Sequence, residues 1–117
     1  MQTAPQKIQD STLELIRDSS NTLLLSAASA WEIAIKYSIG RLPLPVMPSE
    51  YVASRMAQSG TTGLPVEHRH ALHVASLPPH HRDPFDRMLV AQSQLDGATL
   101  VSADPQLDAY DLERIRA

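Results

Sequence analysis

Pro78-Pro-His-His-Arg-Asp-Pro-Phe-Asp-Arg-Met-Leu-Val-Ala-Gln92 carries a loop stiffened by two prolines straight into a helix. Asp83 before Pro84 is a helix start: an N-cap carboxylate accepts an orphan backbone N–H, and proline at the first helical position gives up no hydrogen bond. From there Phe85, Met88, Leu89, Gln92 and Leu95 recur at helical spacing and are expected to face inward, and Gly97 ends the helix after about Asp96. Asp86 lies off that stripe, in the first turn. Each aspartate has an ordinary structural use, Asp83 as the cap and Asp86 as a complement to the positive end of the helix dipole. The rest of the chain supplies the reason to look further.

Downstream, Ala98 to Ser102 reads as a buried strand, Asp104-Pro105 opens a helical turn, and Leu112 to Ile115 suits a last edge strand. Upstream, Glu67 to Leu77 reads as a helix stopped by Pro78-Pro79. Thr62 to Val66 is a second strand that Pro65 confines to an edge. Leu42-Pro-Leu-Pro-Val-Met-Pro48 is a connector that regular helix does not tolerate, after which Ser49 caps a helix from Glu50 to about Gln58. Ser29-Ala-Trp-Glu32 has the spacing of a capping box, and Trp31, Ile35 and Ile39, with Ala34, form the expected inward face up to Gly40. Thr22 to Leu25 is a short buried strand, and Ile8 to Arg17 an amphipathic helix.

Strands alternating with helices imply an α/β fold, a mainly parallel sheet covered by helices, and 117 residues make one domain, 1–117. In such a sheet a helix that follows or precedes a strand starts at the strand's carboxyl edge, where ligands bind. Glu32, in the first turn after Thr22 to Leu25, Asp86, in the first turn of the helix leading into Ala98 to Ser102, and Asp104, just past that strand, all point to this one edge.

Composition narrows the chemistry. The absence of cysteine excludes disulfides, thiolate metal sites and cysteine nucleophiles. Ser26, Ser29 and Ser102 have no base at a diagnostic spacing, which argues against a serine hydrolase. The net charge of -3 lacks the basic footprint usual in nucleic-acid binders, and from Asp83 to Glu113 seven acids face the single Arg87. A polyanionic substrate therefore needs a cation as go-between. No apolar run approaches the roughly 20 residues that span a bilayer, and the N-terminus lacks an apolar signal core, so the expectation is a cytoplasmic protein with no membrane partner.

Three carboxylates meeting at one edge repel each other unless something cationic lies between them. A hard divalent cation, Mg2+ or Mn2+, meets that need, and it activates phosphodiesters toward water. His68, His70 and His73 lack the ligand spacing of a zinc site. His80 and His81 flank the acids as loop or substrate-contacting residues, Arg82 and Arg87 suit either RNA phosphates or local ion pairs, and Trp31 is expected in the core.

Ser-Ala-Ala-Ser-Ala-Trp-Glu-Ile-Ala-Ile-Lys, then Leu-Pro-Pro-His-His-Arg-Asp-Pro-Phe-Asp-Arg-Met-Leu-Val-Ala-Gln, then Thr-Leu-Val-Ser-Ala-Asp-Pro resemble the successive signatures of PIN-domain proteins, and more narrowly of the VapC-type toxins of toxin-antitoxin pairs. The resemblance runs from about Leu15 to Tyr110. It implies a three-layer α/β/α sandwich and a metal-dependent endoribonuclease, usually dimeric, that a cognate antitoxin silences. Glu32, Asp86 and Asp104 match three acids of the family's metal-binding quartet, with Asp83 an accessory candidate. The resemblance also implies a first strand ending in aspartate at the middle of the sheet, which this sequence lacks. The expectation is an N-terminally truncated PIN-like domain with a gap at its centre, through a misassigned start, a truncation, or a strand supplied by another chain. A rival from a different class follows: a catalytically incomplete remnant that binds antitoxin or a partner subunit without cleaving RNA.

Overall fold

The computed structural model describes residues 15–17, 22–102, 105–112 and 114–116. Strand β1 (Leu15–Arg17) is followed by β2 (Leu23–Ser26), α1 (Ala27–Ser38), α2 (Pro48–Ser59), β3 (Thr62–Leu64), α3 (His68–His73), α4 (Pro84–Asp96), β4 (Thr99–Ser102) and β5 (Arg114–Arg116), with 3-10 turns at Val74–Ser76 and Pro105–Ala109.

The five strands form one sheet in the order β3-β2-β1-β4-β5. β2 runs parallel to β3 and β4 parallel to β5, while β1 is antiparallel to both β2 and β4. Two reversals restore the direction, so β2, β3, β4 and β5 all point the same way, and the mainly parallel sheet holds with one reversed strand at its centre. The short parallel strands β3 and β5 take the two edges, as Pro65 and the Leu112 to Ile115 segment lead one to expect.

β1 corrects the reading of Ile8 to Arg17 as helix. Residues 8–14 lie outside the described part, but Leu15 to Arg17 are strand, pairing Ile16 with Leu24 on one side and with Leu100 on the other. The position expected to be a gap is filled by this chain itself. Ile16 is 0% exposed and belongs to a core with Leu89, Val90, Leu100, Leu107 and Tyr110. Its pairing on both edges satisfies backbone groups that a gap would leave exposed.

α4 follows the sequence closely. Asp83 caps it, Pro84 occupies its first turn, and Gly97 ends it at φ 65°, a left-handed conformation that glycine adopts without strain. Its inward face is wider than the predicted stripe: the five consecutive residues Leu89 to Ser93 are buried, whereas Leu95 is exposed. The helix is covered on several sides at once, by β4, by α1, and by α3 with the turn that follows it.

Helices α1 and α2 begin earlier than predicted. α1 starts directly after β2, capped by Ser26, whose hydroxyl accepts from the Ala28 N–H at 3.0 Å. Ser29 and Glu32 therefore form no capping box. Ser29 sits inside the helix, buried, with its hydroxyl unpartnered, and Glu32 falls in the second turn. The inward face consists of Ala28, Ser29 and Ile33, and the expected core residues Trp31 and Ile39 are 63% and 60% exposed. In α2 the cap position is Met47 with Pro48 in the first turn, ahead of the expected Ser49. Glu67 to Leu77 divides into α3 and a 3-10 turn, stopped by Pro78 as expected.

Candidate active site

Because β2 and β4 share a direction, their carboxyl ends lie at the same edge of the sheet, with only β1 between them. α1 leaves that edge and α4 starts there. The two helices touch through Trp31 and Phe85, whose rings meet edge to face with centroids 5.4 Å apart. Each ring precedes one of the acids, Trp31 before Glu32 and Phe85 before Asp86. An apolar cleft of about 510 Å³ opens here, lined by Ala28, Trp31, Val66, Phe85 and Met88 among others. The sequence did not foretell this cleft, because Trp31 read as core.

Of the three acids matched to the metal-binding quartet, Glu32 and Asp86 fall within the described residues, and both side chains are mostly covered, at 12% and 14% exposure. Glu32 Oε2 pairs with Lys36 Nζ at 3.0 Å, one helical turn on, and Asp86 Oδ2 meets His81 Nε2 at 3.1 Å. Asp104 lies outside the described residues, in the link from β4 to the 3-10 turn at Pro105–Ala109. Among the described residues no three histidine, aspartate or glutamate side chains converge closely enough to hold a metal. Glu32 and Asp86 are nevertheless hard oxygen donors on adjoining helices, the donor chemistry that Mg2+ or Mn2+ takes.

Asp83 serves the helix. Its Oδ1 accepts from the Phe85 N–H at 2.8 Å and from the Asp86 N–H at 3.2 Å. The Asp86 backbone is thus fixed by its neighbour's cap, which sets where the Asp86 side chain starts.

Arg87 turns to the loop that precedes α4. Nη2 donates to the carbonyls of Val74 and Leu77, and Nη1 donates to those of Pro78 and His81 and to the Tyr110 hydroxyl. A guanidinium presents five donors in a fixed fork, which suits it to gather several carbonyls along one loop. Arg82, in the same loop, is exposed, and the His80 ring rests edge-on against Tyr110 with centroids 5.1 Å apart.

His70 and His73 dock α3 onto α4. His70 is buried, its Nδ1 accepting from the Glu67 N–H at 3.0 Å and its Nε2 facing Asp96 Oδ2 at 3.2 Å, while His73 Nε2 meets Gln94 Oε1 at 2.8 Å. Arg69 reaches Glu67 and Asp96, whose hydrogen bonds raise its pKa above the ordinary guanidinium value.

Over 62 residues the chain is 50% identical to Ribonuclease VapC16 of Mycobacterium tuberculosis (strain ATCC 25618 / H37Rv), a match covering 53% of this chain and 44% of that protein. The chain thus matches less than half the length of that curated relative. No solved structure matches it significantly. The model of the PIN domain matches residues 4–113, nearly the whole chain and every element described above except β5. This chain belongs to the PIN-domain family.

Proposed function

We propose that the chain is a divalent-metal-dependent endoribonuclease, the toxin of a toxin-antitoxin pair. RNA is the substrate and a cognate antitoxin is the silencing partner, and the protein works in the cytoplasm as a homodimer. The observation that carries the reading is the meeting of the β2 and β4 carboxyl ends with the Glu32 and Asp86 helices, in a chain half identical over 62 residues to a protein named Ribonuclease VapC16.

Glu32, Asp86 and Asp104 would hold Mg2+ or Mn2+, with Asp83 as an accessory carboxylate beyond its capping role. When bound, the cation supplies Lewis acidity at the phosphodiester. The chain's own carboxylates orient water for attack on phosphorus and accept its proton. Arg82, exposed at the mouth of the loop, is the residue best disposed to meet an RNA phosphate. Arg87 and His81 act on the loop and on Asp86.

Cleavage of total RNA by the 117-residue protein, with Mn2+ or Mg2+ and with EDTA, tests the reading. Cleavage should need the metal and should fall about 100-fold or more in Glu32→Gln and in Asp86→Asn, as loss of an acid-base group does. Cleavage that EDTA leaves unchanged, or that survives both substitutions, would overturn it. A wild-type protein that binds an antitoxin yet cleaves nothing would favour the catalytically incomplete binding module instead.

A further inference from the structure

His81 is held at three points. Its Nδ1 accepts from the Asp83 backbone N–H at 3.2 Å, its Nε2 faces Asp86 Oδ2 at 3.1 Å, and its carbonyl accepts from Arg87 Nη1 at 3.3 Å. An amide N–H only donates, so the nitrogen it meets must carry the lone pair. The imidazole proton therefore sits on Nε2, pointed at the carboxylate. Two consecutive residues of α4 share the hold, Asp86 on the ring and Arg87 on the main chain. At 14% exposure the His81 side chain has little surface left to offer a substrate.

We infer that His81 is a positioning residue, which fixes the plane of the Asp86 carboxylate through a single enforced tautomer. Arg87 holds the loop that carries it. The inference deepens the nuclease reading and rests on it for its catalytic consequence. Hydrogen-bonded partners of a ligating carboxylate restrict its rotation, and losing such a partner costs about 10- to 100-fold in affinity or activity. Arg82, adjacent in sequence but exposed, has no such restraint on its side chain among the described hydrogen bonds, which separates a substrate-facing residue from a positioning one.

The test has two arms. In the metal-free full chain labelled with 15N-histidine, the His81 signals are identified by their loss in His81→Gln. The expected spectrum shows the proton on Nε2 and an aprotic Nδ1, and the Nε2-bound proton should exchange with water at least tenfold faster in Asp86→Ala. A ring protonated on Nδ1 would overturn the inference whatever the enzyme does. In steady-state RNA cleavage, His81→Ala should lower kcat about 10- to 100-fold with KM for RNA within twofold. His81→Gln, whose amide N–H can stand in for Nε2, should recover part of the loss. A raised KM with kcat unchanged would make His81 a substrate contact and overturn the inference. If the wild type cleaves no RNA, the nuclease reading falls, and the spectrum alone decides the placement of His81.

Discussion

Arg87 shows how far one residue's chemistry decides a loop. Its guanidinium serves the carbonyls of Val74, Leu77, Pro78 and His81 and the Tyr110 hydroxyl. Hydrogen bonds from a charged donor contribute about 1.5–3 kcal/mol each, though not additively when they share a donor group. Arg87→Ala should therefore destabilise the protein by about 3 kcal/mol in urea unfolding. Arg87→Lys, a point charge without the fork, should restore less than half of that. Asp83→Ala removes a cap worth about 1 kcal/mol and should cost about that much. These roles differ in how far the sequence shows them. The Asp83 cap is local, written in Asp-Pro and the helix after it. What Arg87 and His81 do was not legible, because their partners, loop carbonyls for Arg87 and the Asp86 carboxylate and Asp83 N–H for His81, are brought near by the path of the loop, and a loop's path leaves no periodicity in the sequence.

At the scale of elements, α4 was readable from end to end because its cap, its first-turn proline and its terminal glycine are all local signals. β1 was not. Leu13, Ile16 and their polar neighbours fit a helical period, and a three-residue strand is too short to show an alternation of its own. What makes Leu15–Arg17 a strand is its pairing with β2 and β4, elements that follow it in the chain, and tertiary pairing overrides weak local preference. α1 illustrates a nearer miss: Ser26 and Ser29 both qualify as caps, and the strand's end decides for Ser26. The helix buries Ala28, Ser29 and Ile33 and leaves Trp31, expected in the core, at the surface. Ile16, fully buried between two strands, gives a direct test. Ile16→Ala should cost about 3 kcal/mol, within the roughly 2–5 kcal/mol that such truncations carry, and should do so cooperatively across far-UV circular dichroism and tryptophan fluorescence.

For the whole molecule, the nuclease reading proposed above requires a cation between protein and RNA, because a net charge of -3 gives no basic surface for a polyanion. Mg2+ or Mn2+ at about ten times its dissociation constant should stabilise the wild type by about 1.4 kcal/mol, read as a raised Tm, and should leave the Glu32→Gln, Asp86→Asn double variant unmoved. The common edge was legible from strand and helix order alone. The third acid, Asp104, falls outside the described residues, so its place in the cluster stands on sequence and resemblance. The reversed central strand has a last consequence. β2 leads into α1, which carries Glu32, α4 carries Asp86 and leads into β4, and β1 alone joins the two halves of the sheet. Neighbouring strands stand about 4.8 Å apart, so the width of this one strand sets a span of roughly 10 Å between β2 and β4, the strands that adjoin the acid-bearing helices in the chain. Leu15–Arg17 is thus a spacer: three residues that set how far apart the carboxyl ends of β2 and β4 stand.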